Sequence, residues 1–188
     1  MAIDAYMWFQ NYDGTYLDSE SQVDFSAERQ LSAIDFPPND NLFEIDTYSL
    51  GIAQVLSIGS QSAGVGAGKV TFDPLSITRK TDRASPVLYQ MACAGTPFES
   101  VALVLCKSAG GAIAKMAFEK FTFKRVGIKS IAWAHDAESP REVVTFEYGG
   151  LVIEYWMQNA DGSLGARVLG GWNAVKNILD HDPAGALS

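Results

Sequence analysis

The chain has 188 residues, enough for one domain that buries roughly 70% of the surface its unfolded form exposes and needs no metal or disulfide to fold. Its 22 acidic and 14 basic residues give a formal charge of −8, a field that repels phosphate backbones and argues against nucleic-acid binding. A hydrophobic share of 47% excludes a disordered chain, and nowhere do 18 apolar residues run together, so no membrane insertion is expected.

Met1-Ala2-Ile3-Asp4-Ala5-Tyr6 has neither a basic region nor an apolar core, so no signal peptide is expected. The protein is expected to be made in the cytoplasm and to leave, if it leaves, by a route that reads no N-terminal signal. Residues 3–9 read as a largely buried strand, and residues 43–50 alternate with period two as a half-exposed one. Between them, residues 13–42 are polar, with a short helix expected around 27–34. Residues 57–68 hold seven Gly or Ser in twelve and read as an excursion of the backbone.

Residues 69–79 form the next strand, with a change of parity at Asp73-Pro74, where proline cannot donate to a ladder. Ser85 as N-cap, Pro86 at the first helical position, Val87, Leu88, Met91 and Ala92 at helical spacing and Gly95 as C-cap predict a helix over 85–95. Residues 100–107 are an apolar run closed by the turn Ser108-Ala109-Gly110-Gly111. A long strand or pair follows over 115–133, with a parity change near Glu119-Lys120. In residues 142–157, Val144, Phe146 and Tyr148 share one face, Gly149-Gly150 intervenes, and Leu151, Ile153 and Tyr155 continue on the other parity. Glycine pairs in long strands let a sheet bend far enough to close. The expectation is a mainly β chain, a small closed β-barrel of two packed sheets with one flanking α-helix at about residues 85–95. It forms a single domain over 1–188, with an insertion at 22–42, an extended loop at 51–69 and a flexible tail at 178–188.

The chemistry-bearing residues weigh against an active site. Gly64-Val65-Gly66-Ala67-Gly68-Lys69 lacks the first glycine of a phosphate loop (Ala63 stands there), lacks Ser or Thr after the lysine (Val70), and leads into a strand. His135 with Asp136, Glu138 and Ser139 sits in one loop, which does not supply triad geometry, and no Gly-x-Ser-x-Gly elbow exists. His181-Asp182 lies in the tail. Asp4, Asp18, Glu20, Asp24, Glu44 and Asp46 read as solvated faces, and Asn159-Ala160-Asp161-Gly162 as a turn without the later glutamate of a calcium loop. Cys93 and Cys106 are expected as reduced, buried small hydrophobes without metal-ligand spacing. No enzyme, cofactor or metal is expected.

Four ordered stretches resemble the Hcp family, the haemolysin-coregulated tube protein of bacterial type VI secretion systems. They are Gly66 to Val70 leading into Leu75-Ser76-Ile77-Thr78-Arg79-Lys80-Thr81-Asp82-Arg83-Ala84-Ser85-Pro86; Met91 to Gly95; Val101 to Gly111 with Phe118 to Ile131; and Val144 to Tyr155 with Gly171-Trp172-Asn173. The start of the chain and Glu20-Ser21-Gln22 fit as well, whereas residues 22–42 are longer than the family's usual link. The resemblance implies a small barrel flanked by a helix, hexameric rings stacked into an inner tube, and partners in the contractile sheath, the spike and effectors carried in the lumen. It also implies export directly from the cytoplasm. By the same resemblance the assembly loop is 51–69: Ile52, Val55, Leu56 and Ile58 supply apolar contact, with Gln54 and Lys69 beside them, and Gly64, Gly66 and Gly68 permit close backbone approach. The opposing reading is a monomeric cytoplasmic carrier or binding module for a partner protein.

Overall fold

The computed structural model describes residues 3–26, 34–57, 66–67, 70–108, 115–135, 138–159 and 163–182. In chain order the strands are β1 (Ile3–Gln10), β2 (Phe43–Ile45), β3 (Thr47–Ser49), β4 (Ile52–Ala53), β5 (Leu56–Ser57), β6 (Gly66–Ala67), β7 (Thr71–Phe72) and β8 (Leu75–Lys80). Helix α1 (Ser85–Ala94) follows, then β9 (Phe98–Ser108), β10 (Lys115–His135), β11 (Pro140–Gln158), β12 (Leu164–Asn173) and β13 (Ile178–Leu179). The expected short helix at 27–34 falls outside the described residues except at Ile34, which is not helical.

Nine strands make one antiparallel sheet in the order β13-β12-β11-β10-β9-β1-β2, with β8 also on β11 and β3 on β8. The branch lies within β11: residues 141–146 pair with β8, and residues 150–158 pair with β12. The ladders do not close into the expected two-sheet barrel. β2 pairs with β1 and β3 with β8, and these two short strands are successive pieces of one chain separated by Asp46. The partner changes at Asp46, whose N–H donates to the Thr78 carbonyl (2.9 Å) as the chain passes from β1 to β8. The observed form is a curled, branched sheet.

The glycine pair does act as a bend, together with its partner across the ladder. Arg125, opposite Gly149-Gly150, adopts φ 50°. There the inward parity of β10 passes from Phe121 and Phe123 to Val126 and Ile128, and that of β11 from Tyr148 and Phe146 to Leu151. The expected parity change near Glu119 appears as a register shift between Ala117 and Glu119. Both devices let long strands keep one side on the core while the sheet coils.

Two apolar clusters result. The larger lies inside the curl and joins Met7, Phe9, Phe43, Ile77, Phe98, Phe123 and Phe146 with Leu88 of the helix. The second lies on the opposite face of β1 and β9, where Tyr6, Trp8, Ala102, Val104 and Cys106 meet Phe25, Ile34, Phe36 and Leu42. The long link between β1 and β2 is therefore a cover for a sheet face. Phe25 stands edge-on to Tyr6 at 4.8 Å and Phe36 lies 5.7 Å from Trp8. Asn41 Nδ2 donates to the Leu17 carbonyl (3.1 Å), tying the two ends of the cover together. Cys106 is buried as expected, but Cys93 is exposed, because it falls on the outer face of α1.

Helix α1 begins differently from its sequence signature. Ala84 is the N-cap, and Asp82 Oδ1 accepts from Ala84 N–H (2.8 Å). Ser85 is inside the helix, its hydroxyl donating to the fully buried carboxylate of Glu142 (3.1 Å). Arg79, 2% exposed, donates through Nε to the same oxygen (2.9 Å) and through its other arm to Asp82, and Trp133 Nε1 donates to the second Glu142 oxygen (3.1 Å). Gly95 closes the helix at φ 66°, with Thr96 N–H on the Met91 carbonyl. Arg79→Leu leaves Glu142 a buried anion without a cation and should cost about 3–5 kcal/mol in urea denaturation, much of it recovered by adding Glu142→Leu.

Candidate self-association surface

The loop marked out by the sequence begins as a ribbon. Ile52 pairs with Phe72 and Ala53 with Thr71, and further out Leu56 pairs with Ala67 and Ser57 with Gly66. Four strands of two residues thus carry an antiparallel arm away from the main sheet. Ile52 and Val55 are 64% and 79% exposed, so the arm buries little of its apolar surface on its own subunit. Gln54 is exposed as well. Of the other expected residues, Leu56 and Gly66 are in these ladders, and Ile58, Gly64, Gly68 and Lys69 lie outside the described residues.

The base of the arm is rigid. Asp73 N–H donates to the Gly51 carbonyl (2.9 Å), and a side chain at Gly51 would strike the Asp73 carboxylate. Tyr148 donates its hydroxyl to the Asp73 carbonyl (3.0 Å) and packs against Phe72 and Phe123. Burial, with the nearby Asp73 charge, pushes its phenol up to about 12.

A second feature was not expected. On its outer side β12 pairs with β13 at Trp172 and Asn173 alone, so residues 164–170 present an open sheet edge among the described residues. Apolar side chains surround it: Met157 at 61%, Val168 at 68% and Leu179 at 67% exposed, with Tyr155 and Ile178 beside them. An open edge with exposed apolar neighbours is a template for another strand.

Residues 178–179, placed by the sequence in a flexible tail, form β13 and are clipped to the sheet. Asp180 N–H donates to the Gly171 carbonyl (3.1 Å), and the Asp180 carboxylate accepts two bonds from Lys124 Nζ (3.0 and 3.1 Å). Lys124 is 1% exposed. Between Lys124 and β13 in the register stand Gly150 and Asn173. A Cβ at Gly171 would collide with the Asp180 carbonyl. Gly171 thus makes room for the returning strand. In the sequence, Lys124 follows Phe121-Thr122-Phe123 with Glu119 as its nearest acid, and nothing there points to Asp180.

Charge is distributed unevenly. Nine of the 22 acidic residues and one of the 14 basic ones lie between residues 11 and 46, so this segment carries −8 and the remainder is neutral. Asp13, Asp18, Glu20, Asp24, Asp35 and Asp40 are all exposed on the cover. Beneath it Lys120 sits 5.6 Å over the Trp8 ring beside Glu154, which Arg167 also engages (2.7 Å). Burial pulls the Lys120 ammonium below the usual lysine range, opposed by the Glu154 charge.

His135 ends β10 in solvent and His181 is exposed, 46 residues apart on the chain. Among the described residues no group of three or more His, Cys, Asp or Glu is placed to hold a metal ion, and no helix is long and apolar enough to cross a membrane.

The whole fold is shared with solved proteins of one secretion machinery. It matches a type six secretion system protein with a TM-score of 0.76 at 24% identity, covering 95% of this chain and 100% of that one. Hcp1 from Salmonella typhimurium matches with a TM-score of 0.69 at 23% identity, over 96% of this chain and 100% of that one. A type VI secretion system effector from Yersinia pestis matches with a TM-score of 0.63 at 16% identity, over 90% and 99%. No curated protein sequence matches the chain. The family model described as "Type VI secretion system effector, Hcp" matches residues 37–155, from the end of the cover through most of β11. The chain belongs to the Hcp family of type VI secretion tube proteins.

Tyr148→Phe removes the hydroxyl that holds the Asp73 carbonyl and should cost about 1 kcal/mol. Amide exchange should rise in β4 and β7 and stay unchanged in β1 and β9.

Proposed function

We propose that this chain is the structural subunit of a type VI secretion inner tube. Copies close into hexameric rings, the rings stack, and the lumen carries or chaperones exported effectors. The observation that carries the reading is the family match over residues 37–155. Two features of the surface support it: the projecting arm with exposed Ile52 and Val55, and the open β12 edge ringed by exposed apolar side chains. A head-to-tail contact through such complementary elements closes into a ring when the rotation permits. The arm makes the contact between rings, and the β12 face contributes to the contact within a ring. The sheath and spike of the same machinery act on the outside and end of the tube. The protein starts in the bacterial cytoplasm and is exported through the machinery itself.

Light scattering on the eluted protein should give six times the subunit mass, and negative-stain images should show rings. A chain that remains a single subunit from micromolar to millimolar concentration would overturn the assembly and return the monomeric carrier. Deleting residues 57–66 removes the outer ladder of the arm and leaves β4 and β7 paired at its base. That variant should fold and form rings, and tubes should be absent from its electron micrographs. Normal tubes would remove the arm from ring stacking.

A further inference from the structure

We propose that residues 174–182 are an edge clip: they occupy the end of β12 in place of a strand from a second copy and so limit how far such a strand can pair. The role of the β12 edge in association rests on the reading above. The clip itself rests on geometry. Its ladder has two residue pairs, Trp172 with Leu179 and Asn173 with Ile178, extended by the bond from Asp180 to Gly171. β13 runs antiparallel to β12, so its chain direction leads back along the edge that stays open at 164–170. It covers the same backbone groups that an added strand would need there.

Apolar packing does not hold the clip. Val175, Ile178 and Leu179 are 58%, 51% and 67% exposed on this subunit. What fastens it is the buried ammonium of Lys124, which takes both Asp180 oxygens across β11 and β12. An unpaired charge at a site 1% exposed is costly, so the clip stays closed in the isolated subunit. A second copy's strand that extends pairing past residue 170 must first release it. The clip therefore sets the length and register of the contact between copies, since a slip of one residue would turn every added side chain to the other face.

The test uses three proteins. In the full chain, Asp180→Asn should lower amide protection at residues 171–173 and leave residues 101–105 of β9 unchanged. Unchanged protection at 171–173 would overturn the fastening. A chain ending at Asn173 with Lys124→Met has no buried lysine to strand. It should unfold at a urea concentration close to the full chain's and associate at several-fold lower protein concentration in light scattering. Association equal to or weaker than that of the full chain would overturn the clip. If no protein in the set associates, the tube reading fails, and the exchange result on Asp180→Asn still decides whether the clip is fastened as described.

Discussion

A carboxylate with no exposed surface must be neutralised where it stands, and the end of the sheet nearest the helix is built around that requirement. Glu142 on β11 takes a guanidinium from β8, a hydroxyl from the first residue of α1 and an indole N–H from the far end of β10. Four elements from two distant parts of the chain therefore share one charge. The segment from Arg79 to Ser85 can take only a narrow range of paths, because Asp82 serves both the same guanidinium and the start of the helix. Hydrophobic packing inside the curl fixes which faces meet. The charge cluster fixes where along β8 and β11 they meet, and from there the positions of the arm base and of the branch in β11 follow.

Much of this was legible from residues. The strands from Ile3, Phe43, Leu75, Phe98 and Pro140 follow from alternation and apolar runs, and Asp73-Pro74 falls between β7 and β8 as its missing donor requires. The helix ended at Gly95 for the expected reason. Its start was misread by one residue, since a serine before proline looks the same whether its hydroxyl caps the helix or serves a buried acid 57 residues away. Closure of the barrel was also beyond pattern. Residues 43–50 alternate without a break, and nothing in that run shows that the partner strand changes at Asp46.

The candidate surface was half legible. Glycine and serine content marked the arm but could not show that its base is a pair of ladders. The β12 edge was invisible because an edge is defined by a partner that is missing, which no local pattern records. Lys124 with Asp180 joins residues 56 positions apart, and each alone reads as a solvated charge. Gly149-Gly150 was assigned to bending, whereas Gly171 clears a path for a returning strand. A residue without a side chain answers several demands equally well, so its reason can be read only from its neighbours.

The cover over Trp8 and Tyr6 has a consequence at the scale of many copies. In a ring of copies, rotational symmetry would hold one face of every protomer at a common radius, and a patch on one chain would become a continuous girdle. Because residues 11–46 hold the entire surplus of negative charge, that girdle would be strongly anionic while the rest of the particle stayed close to neutral. Counterions would gather along it, and dissolved salt would govern how near two such girdles, or any other polyanion, could come. One linking segment, packed through a few aromatic rings, would thus set the electrical character of an assembly of copies without altering the strands that build it.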